Sequence, residues 1–380
     1  MTLVTCLVQS QSALFTMAKS TSEMEPLKFW YLNQLLHRQK TLGRDGTLGQ
    51  LINAIGVLMV DAQDCYQGPI GGSDELFIEI MIVDGCFIIE LFRKFDGKLV
   101  QRDDTDPVFN LSFMITHLTG DLLLLENQLP WSVLEILFLL TMVPGEETTS
   151  LSGLALQFFG SMMLLSKKPV AQSSTLKNMH LLGFIRNTLI SQFKFEEGAD
   201  YSEWDPIPCA TSLVDAGVKL RLGNADNILN VKFDNGILEI PPVLIQENAE
   251  SLFRNLIALE QCDKIFTDQI ITSYAILLDY LINTSKDVDF LHRKEILQNV
   301  LGAQDIASFF HKLFNDTFIW NFYYKGLSQQ VNAYCRRRWP RWKVSLKRNY
   351  LNTPWAILSI VAAVVLLILT FLQTLYTIVN

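Results

Sequence analysis

AILSIVAAVVLLILTFLQTLY, Ala356 to Tyr376, runs for 21 residues without a charge. As a helix rising about 1.5 Å per residue it spans roughly 31 Å, the thickness of a bilayer's hydrocarbon core. Its polar residues are Ser359, Thr370, Gln373 and Thr374. The hydroxyls can bond the helix's own backbone, and Gln373 lies close to the end. The preceding stretch, CRRRWPRWKVSLKRNY (Cys335 to Tyr350), carries Arg336, Arg337, Arg338, Arg341, Lys343, Lys347 and Arg348 and no acid. Trp339, Trp342, Tyr350 and Trp355 are interleaved, and Tyr376 stands at the far end, the pattern of interfacial aromatic belts. A soluble core helix of this length normally shows a charged face. The pattern therefore predicts a transmembrane anchor at 353–380 behind a basic, aromatic juxtamembrane collar at 335–352. Lys and Arg mark the cytoplasmic flank and attract anionic lipid. The expected partner at this end is membrane lipid. The body is expected in the cytosol, at the plasma membrane or an endomembrane.

The chain of 380 residues is 49% hydrophobic and 18% charged, a folded rather than a disordered composition. Setting aside the collar's seven cations leaves 24 basic residues against 39 acidic ones, a body near −15. Such a body is not drawn to nucleic acid. Cys6, Cys65, Cys86, Cys209, Cys262 and Cys335 occur singly with no CxxC pair, the usage of a reduced compartment or of ordinary buried thiols. Residues 1–21 lack a basic n-region, and Gln9 to Ser12 interrupt the apolar run. They read as a weakly ordered N-terminus rather than a cleaved signal. Sequons at Asn110, Asn283 and Asn315 would matter only if the body faced the lumen or exterior.

The body, 22–334, reads as mainly helical. Ser22 and Glu25 have capping-box spacing ahead of an apolar stripe at Phe29, Leu32, Leu35 and Leu36. A second helix is expected from Thr47 to Tyr66, then a loop from Gly68 to Asp74. DELFIEIMIVDGCFIIELFRK, Asp74 to Lys94, is nearly continuous apolar sequence, but Glu79, Asp84 and Glu90 disfavour a span. It reads as a core helix with a bend at Gly85. Asp121 to Thr141 has the same character, broken at Pro130 with Asn127 in the turn before it. A helix follows the 143–152 loop to about Leu165, and His180 to Phe193 is a short helix or a strand. Loops at 166–208 join possible halves 22–165 and 209–334. Val218 to Leu222 and Ile228 to Phe233 alternate like strands, and Asp234-Asn235-Gly236 is a hairpin turn leading into Ile237 to Ile240. Pro241 and Pro242 end that ribbon. Helices then run over Glu247 to Cys262 and Asp263 to Thr284, break at Asp287 and Val288, and continue to about Cys335. The fold class is mainly α, with one small β-hairpin and a single C-terminal transmembrane helix.

Catalytic signals are poor. His37, His117, His180, His292 and His311 form no HxxxH or HExxH pair, and no phosphate loop or nucleophile elbow is present. No catalytic, cofactor-binding or metal residue is assigned, and no cofactor is expected. Asp84, Cys86 and Glu90 read as a core thiol with carboxylates that cap helices or pair with Arg93. Glu126, Asn127 and Gln128 read as groups that satisfy the backbone around Pro130. Arg254, on one helix with Glu260 and Gln261, is a candidate bridge to a buried carboxylate elsewhere.

Several stretches jointly resemble the plant family called domain of unknown function 247. They are MEPLKFWYL from Met24, MIVDGCFIIELFRK from Met81, DLLLLENQLPW from Asp121, GILEIPPVLI from Gly236, FRNLIALEQC from Phe253, LDYLINTSKDV from Leu278, VNAYCRRRWPRW from Val331 and the C-terminal apolar run. The resemblance covers about Met24 to the C-terminus and carries no catalytic residues. It implies a C-terminal membrane helix and, for some grass members, a pollen-side role in self-incompatibility. Family members usually begin with a further segment containing a Gly-Pro-His-rich stretch, where this chain has Met1 to Ser20. The expectation is a membrane-anchored plant recognition or signalling protein that binds a protein or peptide. The alternative is a membrane-bound enzyme whose site is built from dispersed carboxylates around Asp84, Glu90 and Glu126.

Overall fold

The computed structural model describes residues 24–66, 72–160, 178–191, 193, 204–224, 227–246, 248–262, 268–299, 302–313, 318–337 and 354–379. The first half is organised by α3, Asp74–Asp96. Ser73 caps it by accepting the Leu76 N–H, Asp74 and Glu75 occupy its first turn, and Arg93 and Lys94 its last. Gly97 closes it at φ 67°, the left-handed conformation that glycine adopts without strain. Residues 81–94 are all buried, so this helix is covered on every side. Around it pack α1 (Met24–Thr41), α2 (Thr47–Gln63), α6 (Trp131–Leu140) and α7 (Leu151–Phe159), with short α4 (Pro107–Asn110) and α5 (Ser112–Asp121) beside them. The helix runs unbroken through Gly85. Glycine stands there because a Cβ would collide with Leu137 Cδ1 of α6. As expected, Pro130 ends one segment and stands at the N-cap of α6.

His180 opens α8, Leu181–Ile190, which settles the helix-or-strand alternative. Then come α9 (Ala210–Asp215), β1 (Lys219–Leu222), β2 (Lys232–Asp234), β3 (Ile237–Ile240) and β4 (Val243–Ile245). Asn235 and Gly236, at φ 49° and 81°, form the two-residue turn of the expected hairpin. That hairpin belongs to a larger unit than one ribbon. β1 adds parallel to β3, with Leu220 opposite Leu238, in the order β1-β3-β2. Ile228 and Leu229 lie buried in a turn rather than in a strand. A second sheet pairs β4 in parallel with β5, Leu297–Asn299, in a region expected to be helical.

The remaining helices are α10 (Ala249–Cys262), α11 (Ile270–Leu281), α12 (Ser285–Arg293), α13 (Ala303–Leu313) and α14 (Lys325–Cys335). The expected break at Asp287 and Val288 is corrected. Helix α11 ends before Ile282, and Thr284 and Asp287 form a capping box that starts α12. One contiguous apolar core includes residues of both α3 and α11. Leu125 N–H to Asn255 Oδ1, at 2.7 Å, also ties the early helices to the later ones. Ser22 and Cys6 lie outside the described residues.

The C-terminal segment is a helix, α15, Pro354–Val379. The Thr370 and Thr374 hydroxyls each donate to the carbonyl four residues back at 2.7 Å. The transmembrane expectation is nevertheless overturned: among the described residues no helix is long and apolar enough to cross a membrane. The lipid partner predicted through this helix falls with it. Of the collar, Arg336 reaches Asp205 Oδ2 at 3.0 Å, and Arg337 lies 5.8 Å from the Tyr334 ring centre. Arg338, Trp339, Arg341, Trp342, Lys343, Lys347, Arg348 and Tyr350 lie outside the described residues. Trp355 belongs to the first turn of α15, and Tyr376 is exposed.

Two measurements test this packing. Gly85→Ala should lower stability by about 1–3 kcal/mol through overpacking against Leu137. An unchanged urea midpoint would place α6 farther from α3. The second concerns His180, whose Nδ1 accepts the Gly183 N–H at 3.0 Å while its buried Nε2 has no partner. Burial holds this imidazole down at about 4, from an ordinary 6.5. The unfolded chain therefore takes up a proton here that the folded chain refuses. This contribution to stability is lost progressively as pH falls from about 6.5 to about 4. His180→Asn, which keeps a capping side chain, should flatten the decline in that window.

Candidate functional site

The charged residues of α3 are the first place to look for chemistry, and most are bound up in packing. Arg93 clamps Glu146 through Nε and Nη2, both at 2.8 Å, and reaches Glu90 Oε1 and Thr141 Oγ1 at 3.1 Å. Arg38 of α1 closes on the two oxygens of Glu90 from the other side. Lys94 is held by Gln34 and Asp106 at 2.8 Å and lies over the rings of Trp30 and Tyr31. Tyr31 donates its hydroxyl to Asp106, and burial together with that carboxylate pushes its pKa far up. Cys86 is fully buried, its thiol pushed up to about 12 by desolvation. It is a core residue with no claim to be a nucleophile. Glu90 pairs with Arg93 as expected, and these partners leave it no role in a shared site.

The polar groups before Pro130 also serve the backbone. Gln128 donates to the Leu122 and Leu124 carbonyls and accepts the Leu182 N–H at 2.9 Å, stitching α8 to the break. Asn127 donates to the Asp121 carbonyl at 2.9 Å. Arg254 corrects its expectation: it pairs with Glu250 one turn back on its own exposed face. The residue that meets the buried carboxylate is Arg186, whose Nε lies 2.9 Å from Glu260 Oε1. Glu260 in turn accepts the Ile271 and Thr272 N–H groups and so caps α11.

Asp84 and Glu126 do converge. Both line a cavity of about 340 Å³ with Lys28 of α1, His117 and Asp121 of α5, and an apolar wall that includes Met24, Phe87, Ile88 and Met114. Lys28 Nζ lies 2.7 Å from Asp84 Oδ1. Burial raises the Asp84 carboxyl above the usual range, with Lys28 working against it. Burial also raises Asp121, and His117 opposes it. Sequence reasoning missed Lys28, His117 and Asp121. The last two stand four residues apart on one helix face, the available signal.

A second feature is an aromatic ledge. Phe318 and Trp320 are 57% and 70% exposed, their rings edge to face at 4.5 Å. Their backbone is pinned: Gln261 and Gln269 donate to the Phe318 carbonyl at 2.7 and 3.0 Å, and Gln269 accepts the Trp320 N–H at 2.8 Å. Ile319 packs on the core between them. Nothing in the local sequence marks Gln269 as the anchor.

Charge removal separates architecture from site. Glu146→Ala removes the bidentate partner of the buried Arg93 guanidinium, leaving it Glu90 and Thr141, and should cost about 1.5–3 kcal/mol. Exposed Glu126→Gln should stay within about 0.5 kcal/mol of wild type. Equal urea midpoints for the two would contradict this division.

The comparisons agree with this architecture of blocks. The model of the DUF247 family, described as plant protein of unknown function, matches residues 15–369. A UPF0481 protein of Arabidopsis thaliana is 28% identical over 335 residues, 80% of this chain and 68% of the relative. A second UPF0481 protein of that plant is 29% identical over 171 residues, 44% of this chain and 32% of the relative. No solved structure matches. The matched span takes in every described element from α1 to α14, so the resemblance read from the sequence blocks holds: the chain belongs to the DUF247 family of plant proteins.

Proposed function

We propose that this chain is a non-enzymatic recognition or signalling protein of a plant cell that works by binding a protein or peptide partner. Pollen self-incompatibility is one setting for that role. The observation that carries the reading is the ledge of Phe318 and Trp320. Two large rings face solvent on a backbone held by three glutamine contacts, so little conformational freedom remains to be lost on docking. Aromatic side chains on such rigid supports dominate many protein interfaces. A second reading, an enzyme built on carboxylates, is favoured by one observation: Asp84 and Glu126 share a cavity with Asp121. Glu90 has no part in it.

Affinity capture from flowering tissue with the full chain tests the first reading. Trp320→Ala should weaken the captured partner by about 2 kcal/mol or more, roughly thirtyfold in Kd, while Val57→Ala on an exposed face of α2 leaves it unchanged. If neither Trp320→Ala nor Phe318→Ala reduces capture, the ledge is not the contact surface.

A further inference from the structure

β1, Lys219–Leu222, is an edge strand of the three-stranded sheet, with β3 on one side and no described strand on the other. The parallel register decides which of its main-chain groups are used. Lys219 donates its N–H to the Gly236 carbonyl at 2.8 Å, and Gly223 donates to the Ile240 carbonyl at 2.7 Å. By alternation Lys219 and Arg221 turn their N–H and C=O groups toward β3. Those of Leu220 and Leu222 turn the other way, and no hydrogen bond from a described residue reaches them. The opposite edge is different: β2 packs against α14, with the Phe233 and Tyr334 rings edge to face at 5.7 Å.

The two faces of this open edge also differ. Leu220 is buried opposite Leu238. Leu222, on the same face and opposite Ile240, is 39% exposed. The apolar inner row of the sheet therefore runs out to the edge and ends there uncovered. On the outer face stand Lys219 and Arg221, both exposed. Arg221 pairs with Glu239 at 3.1 Å, whereas Lys219 lies opposite Ile237 and meets no acid among the described residues. A second copy of β1 laid antiparallel here would set cation against cation, which disfavours self-pairing.

We propose that β1 accepts an added strand: an extended peptide of a partner protein in which acidic and apolar residues alternate. Its main chain bonds the outward groups of Leu220 and Leu222. Its acids lie beside Lys219 and Arg221, and its apolar side chains continue the row of Leu220 and Leu222. Main-chain bonds supply the affinity, and the alternating side chains supply the choice of sequence. The proposal rests on the reading of the chain as a binder of proteins or peptides, at a surface that takes no part in holding Phe318 and Trp320.

Fluorescence anisotropy of the full chain with dye-labelled peptides tests it. The probes are Gly-Glu-Val-Glu-Val-Glu-Gly, its counterpart with lysine in place of glutamate, and two N-methylated forms of the first. One form is methylated at the valines and the other at the glutamates. The glutamate peptide should bind at least about tenfold tighter than the lysine peptide. Lys219→Glu, at an exposed position, should erase that preference at an unchanged melting temperature. Only alternate residues of an added strand face β1, so one methylated form should lose binding and the other keep it. Trp320→Ala should leave the peptide bound, which separates failure here from failure of the ledge. Equal binding of the glutamate and lysine peptides, no binding at millimolar concentration, or equal tolerance of the two methylated forms would each overturn the proposal. Absence of peptide binding together with a wild-type dimer broken by Leu222→Pro would make a second copy the occupant instead.

Discussion

Once α3 is enclosed on all sides, its charged residues have no water to turn to, and the packing around it follows from that. Asp84, Glu90, Arg93 and Lys94 all lie within the buried run of this helix. Leaving any of them unpaired costs several kcal/mol, far more than a surface ion pair returns. Each therefore recruits an opposite charge from elsewhere: Lys28 and Arg38 from α1, Asp106 from the start of α4, Glu146 from the loop after α6. These pairings set how α1 lies across α3 and where the 141–146 loop must return. Apolar packing alone tolerates sliding of one helix over another. A buried guanidinium with partners on Glu90, Thr141 and Glu146 does not.

The later helices solve the same problem with one carboxylate at a time. Glu260 satisfies the orphan N–H groups at the start of α11 and is itself neutralised by Arg186 from α8. Three helices meet at that point. Asp287 holds the capping box of α12 while accepting the Thr211 N–H and hydroxyl of α9. Burial alone would raise its carboxyl, yet these hydrogen bonds keep it below the usual range. In both places an acid that looks in sequence like a surface or loop residue joins elements far apart in the chain.

What is left over after this internal pairing is where function is sought. The carboxylates of Glu90, Asp106, Glu146 and Glu260 are consumed by the fold. Asp84 pairs with Lys28 on the wall of a cavity, and Phe318 and Trp320 stand exposed on a backbone held by glutamine contacts.

Features carried by neighbouring residues were legible in the sequence. The two-residue Asn235-Gly236 turn, the break at Pro130, the buried character of Asp74 to Lys94 and the hydroxyl bonding within the last helix all rest on local backbone chemistry. The joint blocks from Met24 onward likewise carried the family. Partner choice was not legible. Glu90 meets Arg38 across 52 positions as well as Arg93 three away, Glu260 meets Arg186 rather than Arg254, and β5 finds β4 in parallel across the whole of α10 to α12. Strand pairing and ion pairing over such separations leave no local pattern, because each group's free energy is set by what desolvates it. The last helix makes the same point: its apolar composition was plain in sequence, and that composition alone did not decide whether it crosses a membrane. Composition fixes what a segment must avoid; only the packed structure fixes what it meets.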